Sequence, residues 1–261
     1  MGVINVTPDS FSDGGLFLEP AKAIEHGLKM AEEGAEIIDV GGESSRPGSD
    51  PLPLEEELRR VIPVVEGLAS CIRIPISVDT YKSQVAERAI EGGAQMINDI
   101  SGLSFDPQMA SVAARYDSPL IIMHIKGSPK TMQQNPHYDD PMGEIIAYLR
   151  DRMKKAERAG VDPSQVVVDP GIGFGKRVRD NLVILNRLDA LNILGRPILI
   201  GTSRKSFIGS VLGLEARQRE IGTLATVALS AMKGAHIVRV HDVAPARQVI
   251  DMVDAIRNEE G

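Results

Sequence analysis

The sequence predicts an α/β protein whose chain closes into a (β/α)8 TIM barrel. The first observation is alternation, because short apolar runs rich in Val and Ile are each followed by a helical pattern. The second is the number of these units, about eight, which is the number that closes a barrel. The third is that the strand runs are continuously apolar, as in parallel strands covered on both faces. A doubly wound open sheet also alternates strands and helices, but the number of units favours the barrel.

The predicted strands are short and end in polar or turn-forming residues. In order they are Gly2–Val6, Ile37–Val40, Ile76–Asp79, Met96–Asp99, Leu120–His124, Val166–Asp169, Ile198–Gly201 and Ile237–Arg239. The predicted helices between them are Ala21–Glu33, Leu54–Leu68, Lys82–Glu91, Gln108–Tyr116, Met142–Ala159, Asp180–Leu194, Thr223–Lys233 and Ala244–Asn258. Ile24, Leu28 and Ala31 show the spacing of a helix packed on a core. No Pro/Gly/Ser-rich linker interrupts the units, so we expect one domain over residues 1–261.

Composition narrows the range of partners. Trp is absent and aromatic residues make up only 3% of the chain, so the core is aliphatic and few rings are free to stack on bases. The net charge of −7 disfavours a nucleic-acid or anionic membrane surface. We therefore expect no nucleic-acid partner and no membrane partner.

The cysteine content and the chain start point to a reducing compartment. Cys71 is the only cysteine, so no intrachain disulfide can form. No apolar run approaches the ~20 residues that span a bilayer. Residues 1–6 already predict a strand, which leaves no room for a signal peptide. We expect a cytoplasmic protein.

Nearly every predicted strand ends in a polar or ionisable group. These groups are Asn5, Asp39 with Glu43, Asp79, Asn98 with Asp99, His124, Asp169, Ser203 to Lys205, and Arg239 with His241. In a barrel the carboxyl ends of all strands meet at one face, which is where barrel active sites lie. For any one strand, a polar residue that simply begins a loop is the simpler interpretation.

Three of these groups fit a flat heterocycle. Asp79, Asn98 and Asp169 could accept the parallel N–H donors on the edge of a pterin ring, and the amide adds a donor. A metal site is the alternative, although the five histidines show no close pairing typical of zinc. The glycine run after Asp169 is not a P-loop, because Pro170 and Arg177 occupy positions that this motif gives to Gly and Ser or Thr.

Other loops carry features of an anion site. Lys205 lies where a helix opens after the seventh strand, a common phosphate site in barrels, and alternation places Arg239 and His241 on the same side of the eighth strand. A diphosphate would suit them, and a surface salt bridge to Asp242 is the alternative. Arg46, between hydroxyl residues and a Pro-Gly turn, suits an oxyanion but could be a solvated loop arginine.

The first loop, residues 5–15, is either a lid over substrate or an ordinary surface loop. At its root, the amide oxygen of Asn5 could coordinate a hard cation such as Mg2+.

Seven stretches, in order along the chain, resemble the dihydropteroate synthase family. They are Asn5–Gly15 (NVTPDSFSDGG), Gly42–Gly48 (GESSRPG), Ser77–Ser83 (SVDTYKS), Ile97–Gly102 (INDISG), Asp169–Lys176 (DPGIGFGK), Gly201–Gly209 (GTSRKSFIG) and Arg239–Val243 (RVHDV). The set is highly specific and covers essentially the whole chain.

The resemblance implies a barrel enzyme of folate biosynthesis that condenses 6-hydroxymethyl-7,8-dihydropterin diphosphate with 4-aminobenzoate, using Mg2+. It also implies a homodimer and a transferase of the class that sulfonamides target. It assigns pterin contacts to Asp79, Asn98, Asp169 and Lys205, pocket walls to Met123 and Phe174, and the metal to Asn5. It assigns the diphosphate clamp to Arg239 and His241, leaving-group and aminobenzoate contacts to Ser45 and Arg46, the aminobenzoate carboxylate to Ser206, and the mobile first loop to Phe11 and Asp13. Catalytic roles fall to Asp79, Lys205, Arg239 and His241.

Two departures and two rivals accompany this resemblance. The family often has Thr at the position of Ser45, and its members usually carry extra residues before the first strand, which we expect to be absent here. A methyltetrahydrofolate-dependent methyltransferase would share the pterin acids but would not need a diphosphate clamp. A barrel that binds pterin without catalysis is the other rival.

Overall fold

The computed structural model of the chain describes residues 1–7 and 20–259. Within these residues the strands are β1 Gly2–Asn5, β2 Ile38–Gly41, β3 Ile76–Asp79, β4 Met96–Asp99, β5 Leu120–Met123, β6 Val166–Asp169, β7 Leu199–Ile200 and β8 Ile237–Val238. The helices are α1 Pro20–Glu32, α2 Leu54–Cys71, α3 Ser83–Glu91, α4 Met109–Arg115, α5 Pro141–Arg158, α6 Val178–Asn186, α7 Ser206–Leu212, α8 Glu220–Met232 and α9 Val243–Asn258. Each predicted strand agrees with its observed strand to within one residue at either end.

The strands close into a barrel. Strands β1 to β6 form one parallel sheet in chain order, and β7 pairs with β8. Isolated bridges join the two sheets, Val168 to Ile198 on one side and Gly2 to Val240 on the other. Backbone hydrogen bonds accompany the second junction, where the N–H of Val3 donates to Val240 over 3.0 Å. The predicted (β/α)8 barrel is therefore confirmed.

Two helix predictions need correction. The predicted helix Asp180–Leu194 is α6 followed by a separate 3-10 helix, Leu188–Leu194, because the backbone leaves helical geometry at Arg187 (φ −117°, ψ 27°). The short helix α7 is not among the eight predicted helices, although the sequence indicates that a helix opens there. Gly213 ends it in the left-handed region at φ +68°, which glycine adopts without strain.

The barrel interior is layered. Side chains alternate along each strand, so every second residue points inward. Met1, Met96, Ile121, Val167, Leu199 and Ile237 pack together as an apolar cluster inside the barrel, called here the lower layer. Two residues further along the same strands come Asn98, Met123, Asp169 and Arg239, which with Asp39 and Asp79 form the upper layer.

A second, larger core lies between the strands and the helices and consists almost entirely of Val, Ile, Leu, Ala and Met, as the composition predicts. None of the helices within the described ranges has the length and apolar character needed to cross a bilayer.

Candidate active site

Arg239, the residue after β8, belongs to a hydrogen-bonded group at the top of the barrel. Its Nε donates to Oδ2 of Asp39 over 2.6 Å, and its Nη2 donates to Oδ2 of Asp79 over 2.7 Å. Asn98 donates from Nδ2 to the same Asp39 oxygen over 3.0 Å. Residues from β2, β3, β4 and β8 thus meet in one hydrogen-bonded group, as the polar strand ends predict.

Asp39 is the residue of this group that sequence reasoning missed. The sequence places it at a strand end but gives it no partner, whereas the structure buries it completely between Arg239 and Asn98. Its Oδ1 is buried and, within the described part of the chain, has no hydrogen-bond partner. The two contacts span 200 and 59 residues of sequence, so only the closed barrel shows them.

Burial and the ion pair that joins them act in opposite directions on the pKa values of Asp79 and Arg239. Burial raises the pKa of Asp79 to about 7, the carboxylates of Asp39 and Glu57 push it the same way, and Arg239 offsets only part of the rise. Although burial alone would lower it, the pKa of Arg239 lies above its ordinary value because it faces Asp39 and Asp79. The cation is therefore permanent, while Asp79 titrates near neutral pH.

Asp169 is held by the glycine loop that follows β6. Its Oδ1 accepts the N–H of Gly171 over 2.7 Å. Burial raises the pKa of Asp169 to about 6, opposed by the Gly171 N–H and by Lys205. Gly171 has φ +69°, and a Cβ there would lie 1.9 Å from the carbonyl oxygen of His124. Glycine thus lets the loop cross the end of β5 and cap the acid.

Lys205 and Phe174 form the side of the site next to Asp169. The Lys205 Nζ lies 4.2 Å from the centre of the Phe174 ring, a cation–π contact. Burial lowers the pKa of Lys205 to about 8, and the charge of Arg239 lowers it further, against the pull of Asp169 and Asp79. Phe174 also packs in one apolar cluster with Met123, so the two predicted wall residues lie together.

His241 is hydrogen-bonded to Ser203 and lies near two arginines. Its Nδ1 lies 2.9 Å from the hydroxyl of Ser203. Burial lowers the pKa of His241 to about 4, and the neighbouring Arg239 and Arg204 lower it further. The expectation that His241 carries charge therefore requires an anion beside it. Asp242, the alternative partner for Arg239 and His241, instead accepts two hydrogen bonds from Arg204, over 2.6 and 3.1 Å.

The remaining predicted residues lie around this centre. Ser45 lines a cleft together with Asp79. Arg46 and Ser206 are exposed, the first in the β2–α2 loop and the second at the start of α7 beside Lys205. Asn5 ends β1, opposite Gly41, which itself lies opposite Asp79 on β3. Phe11 and Asp13 lie outside the described residues.

A buried Lys176–His124 pair is a second group that the sequence does not reveal. The Lys176 Nζ lies 2.9 Å from His124 Nδ1 and donates to the carbonyl of Phe174 over 3.0 Å. Burial lowers the pKa of Lys176 to about 7. The pair fastens the glycine loop to the end of β5 and so supports the position of Phe174.

The sequence matches the pterin binding enzyme family over residues 1–241. It is 47% identical to the dihydropteroate synthase of Bacillus subtilis, over all of this chain and 89% of that protein. It is 45% identical to the Escherichia coli K12 enzyme, over 98% of this chain and 90% of that protein. The chain belongs to the dihydropteroate synthase family of pterin-binding enzymes.

Solved structures of the family superpose on the barrel. A dihydropteroate synthase from Yersinia pestis with a sulfonamide drug complex has a TM-score of 0.94 at 42% identity, over 99% of this chain and 94% of that one. The Xanthomonas albilineans enzyme with 4-aminobenzoic acid has a TM-score of 0.93 at 45% identity, over 98% of this chain and 92% of that one. The resemblance to dihydropteroate synthases inferred from seven short motifs is confirmed.

Proposed function

We propose that this chain is a transferase that condenses 6-hydroxymethyl-7,8-dihydropterin diphosphate with 4-aminobenzoate, giving 7,8-dihydropteroate and diphosphate in folate biosynthesis. The observation that carries this proposal is the convergence of Asp79, Asn98 and Asp169 with Lys205 and Arg239 at the mouth of one barrel. Family members bound to 4-aminobenzoic acid and to 7,8-dihydropteroate support the choice of substrates.

The acids and the amide suit the pterin ring. A pterin presents its 2-amino group and a ring N–H as parallel donors. A buried carboxylate is stabilised when it accepts such hydrogen bonds, because a buried charge without partners is costly. Asp169 has a pKa near 6 because it is buried, so it is ionised at neutral pH and ready to accept. Met123 and Phe174 supply apolar walls for the faces of the ring.

The cations suit the diphosphate. Two of the five N–H groups of Arg239 donate to Asp39 and Asp79, which leaves three for phosphoryl oxygens. Lys205 lies nearby, and an approaching diphosphate would raise the pKa of His241, which burial and Arg239 now depress. Ser45 lines the cleft from the β2–α2 loop, and we assign contacts with the leaving group and 4-aminobenzoate to it and to Arg46. We assign the carboxylate of 4-aminobenzoate to Ser206, at the start of α7.

The reaction is an exchange at the pterin methylene carbon. Its bond to the diphosphate oxygen breaks with both electrons leaving on diphosphate, and the lone pair of the arylamine forms the new C–N bond, after which the nitrogen loses a proton. Positive charge develops on the pterin methylene, and the Asp79 carboxylate stabilises it. The arylamine is neutral at pH 7, so no strong general base is needed.

Mg2+ is the expected cofactor. The described residues contain no group of three or more His, Cys, Asp or Glu able to hold a metal. Mg2+ often keeps several waters and binds through one or two protein oxygens plus substrate phosphates, and the amide oxygen of Asn5 fits that mode. When bound, the ion would neutralise charge on the departing diphosphate.

A homodimer and a cytoplasmic location complete the proposal. Ile221 is 82% exposed and shares one face of α8 with Met232, while Met252 and Ile256 are exposed on the neighbouring α9. A second copy would cover this apolar surface. Replacing Ile221 with Asp should then shift the sedimentation coefficient to that of a monomer. The exposed free thiol of Cys71 suits a reducing compartment.

The test of the proposed function is release of diphosphate from the pterin diphosphate, measured with and without 4-aminobenzoate and Mg2+. Release that depends on 4-aminobenzoate, with dihydropteroate formed in equal amount, is the expected result. Tight binding of the pterin diphosphate with no release under any condition would favour the non-catalytic barrel.

A further inference from the structure

A cluster of charged and hydroxyl groups lies beside the site, between the β2–α2 and β3–α3 loops. Lys82 donates hydrogen bonds from its ammonium to both Glu43 and Glu57. The hydroxyl of Tyr81 donates to Glu43, and the hydroxyl of Thr80 donates to Glu57 over 2.6 Å. These five residues are called the Lys82 cluster.

The cluster is largely removed from water. The Glu57 side chain is 1% exposed, and those of Glu43 and Lys82 are 10% and 17% exposed. Burial raises the pKa of Glu57, while the hydrogen bonds from Lys82 and Thr80 oppose the rise. Two buried carboxylates share one ammonium. Apolar side chains of similar volume in such a place often give a fold of equal stability. Its presence next to a reaction site therefore points to a role beyond stability.

The connections of the cluster identify that role. Glu57 lies in the first turn of α2, an 18-residue helix packed on the core, so it is a fixed point. Residues 80–82 follow Asp79 directly, and Glu43 lies two residues before Ser45. Lys82 therefore ties the loop that carries Ser45 and Arg46 both to α2 and to the end of β3.

The cleft beside the Lys82 cluster is lined in part by members of the cluster. It is lined by Glu43, Ser44, Ser45, Glu57, Asp79, Thr80, Tyr81, Ile100 and Pro129. Ser45 on one loop thus faces the same space as Asp79 at the end of β3, and four members of the cluster line that space with them: Glu43, Glu57, Thr80 and Tyr81. By contrast, Asn98 and Asp169 lie on other strands and Lys205 precedes α7, and within the described residues none of the three is hydrogen-bonded or ion-paired to Lys82.

We propose that Lys82 is a positioning residue for the reaction: held between Glu43 and Glu57, it fixes the loop of Ser45 and Arg46 against Asp79, so that the arylamine is aligned with the pterin methylene. This inference rests on the proposed function. Lys82 touches no reacting atom, and its effect passes through Glu43. Asp79 adjoins the cluster, but the other three pterin contacts, Asn98, Asp169 and Lys205, lie on other elements. Loss of Lys82 should therefore impair use of 4-aminobenzoate far more than pterin binding.

The test compares Lys82→Met and Lys82→Arg in the full chain. Lys29→Met is the matched control, because Lys29 on α1 is 69% exposed and, in the described part of the chain, forms an ion pair only with Glu33. For Lys82→Met we expect the KM for 4-aminobenzoate to rise by roughly tenfold to a hundredfold, the range that a small misplacement of a reactant produces. The Kd of the pterin diphosphate, measured by calorimetry, should stay close to that of the wild type.

The conservative variant separates positioning from folding. Lys82→Arg keeps a cation between the two carboxylates, so its KM for 4-aminobenzoate should lie close to the wild-type value. Lys29→Met should behave as wild type. Glu43→Gln removes only the charge on the loop side and leaves the Lys82–Glu57 pair in place, so it reports on positioning even if Lys82→Met fails to fold. Glu43→Gln should also raise the KM for 4-aminobenzoate selectively, but by less than Lys82→Met does.

Two results would overturn the inference. One is a wild-type KM for 4-aminobenzoate in folded Lys82→Met or in Glu43→Gln. The other is a parallel loss of 4-aminobenzoate use and pterin affinity, which would indicate a general structural role. Absence of any 4-aminobenzoate-dependent diphosphate release by the wild-type chain would instead overturn the proposed function.

Discussion

Val167 and Asp169 lie on the same strand, point into the same barrel and are separated by one residue. Val167 packs with Ile121 and Leu199 in the lower layer. Asp169 accepts a backbone N–H in the upper layer and has a raised pKa because it is buried. Ile237 and Arg239 repeat the pattern on β8.

The two layers of the barrel differ in what they contribute to stability. The six residues that define the lower layer are apolar, so each of their side chains stabilises the fold by leaving water. The upper layer brings three carboxylates and the guanidinium of Arg239 together away from water, which lowers stability wherever a polar atom lacks a partner, as at Asp39 Oδ1. Substitutions in the two layers should therefore affect different measurements.

The largest effect is expected for Asp79→Asn. The variant should lose roughly 100- to 1,000-fold in kcat, because a preorganised charge facing the methylene is removed. The fold should persist, since the amide oxygen can still accept from Arg239. Initial rates of diphosphate release and thermal unfolding, measured on the same sample, check both statements. Near-normal turnover would remove Asp79 from the mechanism.

A lower-layer substitution should show the opposite behaviour. Ile121 is fully buried among Val167 and Leu199, so Ile121→Ala should lower the free energy of unfolding by about 2–5 kcal/mol. Because the cavity lies below the polar groups, kcat/KM should stay close to the wild-type value at temperatures where the variant is folded. Urea unfolding and steady-state rates check this, and a large loss of kcat in the folded variant would show that the layers are coupled.

The pH dependence should follow the upper layer. Burial raises the pKa of Asp79 to about 7 and lowers the pKa of Lys205 to about 8. If Asp79 acts ionised and Lys205 acts charged, kcat/KM for the pterin diphosphate should rise with pH through about 7 and fall above about 8. In Asp79→Asn the acid limb should move toward the pKa of Asp169, which burial places at about 6. An acid limb unchanged by this substitution would assign it to another group.

The same pKa shift sets the sign of the stability effect. Because the folded pKa of Asp79 is raised, its contribution to stability is fully present below the unfolded value and is lost as pH rises through about 7. Asp79→Asn should remove that decline, which unfolding curves recorded at several pH values between its ordinary pKa of 3.8 and about 7 would show.

The smallest effect is expected at the rim. Arg204 and Asp242 form a two-bond ion pair that is partly exposed, with 44% and 33% of the side chains accessible. Asp242→Ala should change the free energy of unfolding by no more than about 1 kcal/mol, as exposed pairs generally do. A loss of several kcal/mol in the free energy of unfolding, measured in urea, would show that this pair contributes to stability far more than an exposed ion pair does.

The sequence was sufficient for the architecture and for most of the polar layer. The strands were found because buried parallel strands are apolar throughout, and their last residues were found because polarity begins where a strand ends. Asp79, Asn98, Asp169 and Arg239 followed from this rule. The break in the helix near Arg187 was missed, because the apolar pattern continues through it.

The pairing of side chains could not be predicted. The contacts of Asp39 with Arg239, of Lys176 with His124 and of Lys82 with Glu57 join residues far apart in sequence, and no local pattern specifies them. Lys82 in particular is predicted only as the first residue of a helix, and its two carboxylate partners appear only in the closed barrel. The roles of individual site residues remain predictions for the same reason.

The most direct test uses the two residues of β6 side by side. The Kd of the pterin diphosphate and the free energy of unfolding are measured for Asp169→Asn and Val167→Ala. We predict that Asp169→Asn weakens binding by at least about tenfold, the effect of losing a charge-assisted hydrogen bond, with no decrease in the free energy of unfolding at neutral pH. Val167→Ala should lower the unfolding free energy by about 1–3 kcal/mol and bind as wild type. Wild-type affinity in Asp169→Asn, or loss of both properties in both variants, would contradict the division of the barrel into a stabilising and a binding layer.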